Sequence, residues 1–285
     1  MRKIILIPLF LITFSMFSQE NKLIPDKKYY EAVDKWVAFQ TDENEYVSGF
    51  IYIDEMAGFT FDMGVGFMID ENGKYIPEEK LAEVSIKHRL DESYNKVAII
   101  PEKKLAELGV APVPEWLYIY KSDEGTVSYL KNIGYHYNHV GGSSYAIEPL
   151  EKAYAAEPHY NGLEFELAFA YNATKQFAKA IPILEKALEY NPKDYLLYKE
   201  MGYALMNTEE FDKAEEIFTR GISISDSQEI KAEMAINMTH TFFVLNDSER
   251  FKKWSGEAEK LVEKGSRMEQ VLKYLKSEWD KKNNN

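Results

Sequence analysis

No cysteine occurs anywhere in the 285 residues. That removes disulfides, thiolate chemistry and the acylated cysteine of a lipoprotein together. Positive charge is also short: 34 lysines and arginines stand against 47 aspartates and glutamates, a net charge of −13. A chain with that balance has no field to displace counterions from a nucleic acid, and no attraction to an anionic membrane surface. Histidine is sparse, at five residues, so a metal site would have few imidazoles to draw on. After residue 18 no apolar run is long enough to cross a bilayer, so no stable membrane insertion is expected.

The first 18 residues differ from the rest. Arg2 and Lys3 are followed by an apolar stretch at 4–14, and then by Ser15-Met16-Phe17-Ser18 before Gln19. This is the layout of a secretory signal peptide, cleaved after Ser18, and for a double-membraned bacterial source it predicts a periplasmic or secreted protein. Losing Arg2 and Lys3 takes the net charge to −15, of which −10 falls in residues 19–126. An exported chain without disulfides depends on packing, and 45% hydrophobic residues, 14% of the chain being aromatic, provide the material.

Residues 29–38 hold Tyr30, Val33, Trp36 and Val37 near a 3.6 period and predict a short helix, broken by the acidic stretch 41–45. Residues 46–53, 58–63 and 65–69 read as three strands. Asp70-Glu71-Asn72-Gly73 reads as a tight turn with a return strand at 74–76. Val84, Ile86, His88 and Leu90 alternate like a strand, with a competing helix start at 77–82. An apolar run at 97–100 stops at Pro101, a short helix at 102–108 closes on Gly109, and 116–120 reads as a last strand. The expectation for 19–126 is an α+β domain on an antiparallel sheet.

From Val127 the chain repeats every 34 residues, in rows 127–160, 161–194 and 195–228, without an insertion. The eighth position of each row reads Gly134, Ala168, Gly202; the twentieth Ala146, Ala180, Ala214; the twenty-fourth Leu150, Leu184, Phe218; the twenty-seventh Ala153, Ala187, Gly221. Small residues at fixed phase mark close helix crossings, and bulky ones fill the space between. Each row therefore predicts a helix A at positions 2–14 and a helix B at 18–30. Pro158 and Pro192 lie just beyond the B helices, where an intrahelical ladder must stop. Asp194 is placed to cap the third A helix. A pair of such helices cannot bury its apolar face alone, so neighbours must stack. The phase then slips: 230–245 and 251–264 predict two further helices, a degenerate fourth repeat over 229–265. Residues 267–279 predict an amphipathic capping helix within 266–285.

This pattern resembles the tetratricopeptide repeat, whose members form all-α right-handed solenoids. The resemblance covers the small residue at position 8, alanine at 20, the apolar residue at 24 and the small residue at 27 in all three rows. The proline at 32 is kept as Pro158 and Pro192 and replaced by Asp226. Ser143 at position 17 and Glu164 at position 4 depart from it. The resemblance implies that helix A positions 2, 5, 9, 12 and 13 face a concave surface where family members hold peptides or protein segments. Carried over, it points to Lys131, Tyr135, Asn138, Phe165, Phe169, Asn172, Lys199, Tyr203 and Met206 as a protein-binding surface, rings supplying area and amides meeting a bound main chain. The family's carboxylate-clamp set is matched only at Lys131, with Tyr135 where its asparagine would stand, so recognition of a chain terminus is not implied.

Chemistry is hard to find. His136 and His139, three apart, lack a third ligand at a fixed offset, although Glu148 or His159 could approach them in space. Gly141-Gly142-Ser143-Ser144 falls on the turn between helices and lacks the flanks of a nucleophile elbow or a phosphate loop. Asp54-Glu55, Asp62 and Asp70-Glu71 border strands at a spacing that fails a calcium loop, and solvated strand ends explain them. No catalytic residue, metal or cofactor is predicted. The expectation is a protein- or peptide-binding scaffold of the cell envelope. A hydrolase-type enzyme with its site in 24–124, among Asp54, Asp62, Asp70, His88 and Tyr94, is one alternative, and a structural component of an envelope assembly is another. The binding groove has its own rival: the N-terminal domain or the C-terminal helix could fill it.

Overall fold

The computed structural model describes residues 23–78, 86–91, 93–94 and 96–283; the signal-peptide expectation and the competing helix start at 77–82 fall wholly or largely outside them. By internal contacts the chain divides between Lys121 and Ser122.

The first unit is an α+β domain on an antiparallel sheet of β1 (Lys35–Asp42), β2 (Glu45–Asp54), β3 (Gly58–Ile69), β4 (Tyr75–Pro77), β5 (Ile86–Arg89) and β6 (Ala98–Ile99). The order is β4-β3-β2-β1-β6, with β5 off that path and paired to β3 at Thr60–Met63, while β4 pairs it at Phe67–Ile69. Helix α1 (Glu102–Leu105) runs through a 3₁₀ turn to Gly109 at φ 68°, and a second 3₁₀ turn, Glu115–Leu117, runs into α2 (Tyr118–Lys121). Leu105 and Leu108 pack with Ala38, Tyr46, Phe67 and Tyr75, while Leu117, Trp116 and Tyr120 pack on Phe50 and Tyr52.

Three sequence expectations change here. Residues 29–38 are not one helix: a 3₁₀ turn at Tyr29–Glu31 gives way to β1, with Asp34 at φ 58° between them. Val37 and Ala38 are both buried. A strand covered on both faces shows a continuous apolar run, which imitates a helical period. The strands expected at 58–63 and 65–69 are one strand, because the Ser48 hydroxyl accepts from Val65 N (3.0 Å) and donates to Val65 O (2.8 Å), bridging the register shift opposite Gly64. The strand expected at 116–120 is helical, entered from Pro114, so Trp116 and Tyr120 share a face.

The second unit is a tandem stack of helices. α3 (Val127–His139), α5 (Leu163–Ala173), α7 (Tyr195–Asn207) and α9 (Gln228–Leu245) are the A helices; α4 (Ser143–Ala156), α6 (Phe177–Tyr190), α8 (Phe211–Ile224) and α10 (Ser248–Leu261) follow them, and α11 (Arg267–Asn283) closes the chain. The bounds of α3 to α8 track the 34-residue phase within a residue or two. Asp194 does cap α7, accepting from Leu196 N at 3.0 Å. α10 starts three residues earlier than its apolar period suggests, because Asn246 turns left-handed at φ 58° and Asp247 caps the new helix through Arg250 N (3.0 Å).

The small residues sit where helices cross. A Cβ on Gly134 would lie 2.3 Å from Leu150 Cγ, and one on Gly202 2.3 Å from the Phe218 ring. Gly202→Ala should therefore lose about 1–3 kcal/mol to overpacking, although alanine is the better helix former. Gly256, inside α10, has open space at its Cβ position. Gly256→Ala should gain about 0.5–1 kcal/mol. Urea melts of the two variants should move in opposite directions; a shared direction would mean that the crossing distance does not set the choice of glycine.

Candidate functional site

The A helices pack directly on one another, α3 on α5, α5 on α7 and α7 on α9, whereas each B helix packs chiefly on the A helices beside it. The A helices thus form a continuous layer of their own along the stack. Position 9 of successive rows places Tyr135, Phe169 and Tyr203 in that layer. Tyr135 is 41% exposed and Tyr203 40%, and Phe169 is half-buried. Phe165 stands beside Phe169 with ring centroids 6.3 Å apart, and Tyr203 meets Phe177 edge-on at 6.0 Å. Met206 is half-buried, and its sulfur accepts from the Thr241 hydroxyl at 3.1 Å. Lys131 Nζ lies 5.7 Å from the Tyr135 ring centroid, and the His139 ring stacks on Tyr135 at 5.9 Å.

The polar residues of the expected surface are used differently. Asn138 and Asn172 are buried rather than free to meet a ligand. Asn138 Nδ2 donates to the Glu166 backbone oxygen and to Glu166 Oε2, both at 2.9 Å. Asn172 Nδ2 repeats this on Glu200, at 3.1 and 2.9 Å. Each is a rung from position 12 of one row to position 6 of the next, tying consecutive A helices together. Their Oδ1 atoms are buried and find no partner among the described residues. Lys199 is committed as well, 3.5 Å from Glu200 and 3.6 Å from Glu233. Burial pushes the Glu166 and Glu200 carboxyls above the usual glutamate range, offset in part by Asn138 at Glu166 and by Lys199 at Glu200. The surface thus holds an aromatic line over a layer of buried carboxyls. Sequence reasoning missed the rungs, although Asn138/Asn172 and Glu166/Glu200 recur 34 apart like the small residues.

Glu164, out of pattern at position 4, is buried and lies 2.7 Å from His159 Nδ1; the His159 ring stacks on Tyr190 at 4.2 Å. That pairing occupies His159, and among the described residues no three histidines or carboxylates lie close enough to hold a metal. Asp54 accepts from the amides of Met56 (3.0 Å) and Ala57 (3.1 Å), and Asp70 from those of Asn72 (2.9 Å) and Lys74 (2.8 Å), so these carboxylates shape turns. His88 is exposed on β5. The C-terminal helix does not run along the A layer of the first three rows: α11 packs on α9 and α10. No described helix is long and apolar enough to cross a membrane.

No curated protein matches the chain. Among solved structures, MamA from Desulfovibrio magneticus RS-1 is similar at 17% identity and a TM-score of 0.45, covering 51% of this chain and 81% of that one. MamA of AMB-1 is similar at 22% identity and a TM-score of 0.43, covering 55% and 83%. MamA of MSR-1 is similar at 21% identity and a TM-score of 0.44, covering 51% and 82%. The tetratricopeptide repeat model matches residues 173–232, from the end of α5 into α9. Residues 173–232 of the helical array thus match a tetratricopeptide repeat, and the array is preceded by a β-rich domain.

Proposed function

We propose that the A-helix face binds an extended segment of a partner protein, and that the chain acts as a scaffold in the periplasm or secreted space after removal of residues 1–18. The repeats at 127–160, 161–194 and 195–228, a degenerate fourth at 229–265 and a capping helix within 266–285 would form one continuous surface. The observation that carries this reading is the recurrence of an aromatic ring at position 9, Tyr135, Phe169 and Tyr203, with two of the three at least 40% exposed. Packing alone would favour burying such rings. Left open in a row, they offer the rigid apolar area that dominates peptide recognition. With Asn138 and Asn172 committed to the rungs, specificity falls to Lys131, His139 and the ring edges.

The test is capture of partners from envelope extract by the purified mature chain, its Tyr203→Asp variant, and Tyr190→Asp as a control from the B side. Tyr203→Asp should lose at least ten-fold in recovered partner with unchanged helicity by circular dichroism, while Tyr190→Asp keeps it. Equal recovery by all three proteins would remove the A face as the binding surface.

A further inference from the structure

The first unit contains a feature that partner binding by the helical array does not use. Tyr52, on the central strand β2, is fully buried, and Trp116 and Tyr120 stand over it from the turn that leads into α2. The rings are mutually inclined: Tyr52–Trp116 at 5.1 Å and 63°, Tyr52–Tyr120 at 4.5 Å and 53°, Trp116–Tyr120 at 5.9 Å and 88°. Into this three-walled cage projects one cation. Lys87 Nζ lies 5.7, 5.4 and 4.9 Å from the centroids of Tyr52, Trp116 and Tyr120, and donates to the Tyr120 hydroxyl at 2.7 Å. All three distances fall within the roughly 6 Å over which a ring face attracts a cation. That hydrogen bond pulls the Tyr120 phenol below its usual range, as a charged donor should. Among the described residues Lys87 forms no ion pair with a carboxylate, so rings and a phenol hold its charge. Asp62, its cross-strand neighbour on β3, adds negative potential on the same face.

The walls and the occupant are held very differently. Trp116 also packs edge-on against Phe50 at 5.9 Å, Leu117 between the walls is buried, and Lys121 pairs with Asp34 at 2.8 Å. Lys87 rides on β5, whose four residues are all exposed and whose sheet partner is β3. Removing Lys87 from the cage would sacrifice little burial, and the rings would stay in place.

We propose that the Tyr52/Trp116/Tyr120 cage is a binding site for an alkylammonium group, and that Lys87 is a built-in occupant which such a ligand displaces. Ring faces favour a weakly hydrated organic cation over a metal ion. The class therefore covers quaternary amines and the lysine side chain of another protein, which share the same headgroup chemistry.

The test follows the indole N–H of Trp116 by NMR at constant ionic strength, titrating tetramethylammonium and, separately, an Nα-acetyl-lysine amide, with potassium as control. Lys87→Met keeps the aliphatic stem and removes the competing charge. It should bind at least ten-fold more tightly than wild type, and Tyr120→Leu in that background, which removes a wall and keeps the Trp116 reporter, should abolish the effect. Tighter binding of tetramethylammonium assigns the site to quaternary amines, and of the lysine amide to a protein side chain. The indole of Trp36, which donates to Ala111 O at 2.8 Å, reports that the fold is intact. Should Lys87→Met disturb it, wild type at several hundred millimolar probe carries the test instead. An unmoved Trp116 resonance in the folded protein, or equal shifts with potassium, would overturn the proposal.

Discussion

Asn172→Leu should destabilise the helical array by about 2–3 kcal/mol at pH 8 and by about 1 kcal/mol at pH 4. The amide of Asn172 is the hydrogen-bond donor that reaches the buried Glu200 carboxylate from the preceding repeat, and leucine leaves that carboxylate, among the described residues, with Lys199 at 3.5 Å. The loss stays below that of an outright broken ion pair because the substitution also removes the Asn172 Oδ1, which is buried without a partner.

The pH dependence has a definite sign. Burial raises the folded pKa of Glu200, so the native chain keeps its proton at pH values where the unfolded chain, near the ordinary value of about 4.3, has released it. Stability contributed by this group is therefore greatest below the ordinary value and falls as pH rises through the folded one. The Asn172 bond favours the ionised form and limits that fall; the leucine variant should decline more steeply. Glu200→Gln keeps an acceptor for Asn172, removes the titration, and should flatten the curve in this window. Urea melts at several pH values would check it. A pH-independent gap between wild type and Asn172→Leu would mean that Glu200 titrates normally and that the rung contributes no charge-dependent stability.

The rungs show why some of this molecule was readable in advance and some was not. The phase of the helices could be read because glycine and alanine answer a local steric demand that recurs at the same place in each repeat: Gly134 under Leu150, Gly202 under Phe218. Asn138 and Glu166 recur too, yet a polar residue on a helix looks the same whether it faces water or the next helix, and only their pairing across 28 residues decides it. Reading Asn138 and Asn172 as groove amides failed for that reason. The exposed rings needed no such pairing, since position 9 lies on the A face whatever it touches.

In the first unit, reading was weaker because nothing repeats. The start of β1 reads as the end of a helix over 29–38, since Trp36 and Val37 bury opposite faces and erase the alternation that marks a strand. Residues 116–120 read as a strand because apolar and aromatic content is the signal available there, and the turn entered from Pro114 leaves no mark in it. That second error concealed the cage. A strand would send Trp116 and Tyr120 to one face only as i and i+4 at wide spacing, about 13 Å apart; the helical turn brings both rings onto Tyr52.

Trp279→Ala should cost about 3–5 kcal/mol, and the loss should be confined to one end of the array. Trp279 is 6% exposed and stacks on Phe251 at 4.1 Å and 14°, with Phe243 at 6.2 Å. It joins α11 to both helices of the last pair, while Leu272 and Leu275 bury the rest of that contact. α11 touches α9 and α10 but has no comparable packing on α3 to α7. In a stack where each repeat meets only its neighbours, damage at the end lowers the stability of the end first. Amide exchange should accordingly speed up in α9, α10 and α11 by two orders of magnitude or more, while α3 to α6 keep most of their protection. Partner capture depending on Tyr135, Phe169 and Tyr203 should survive at temperatures where α11 has already detached. If protection instead fell evenly from α3 to α11, the array would be folding as one cooperative block, and the C-terminal helix would be part of its core rather than its cap.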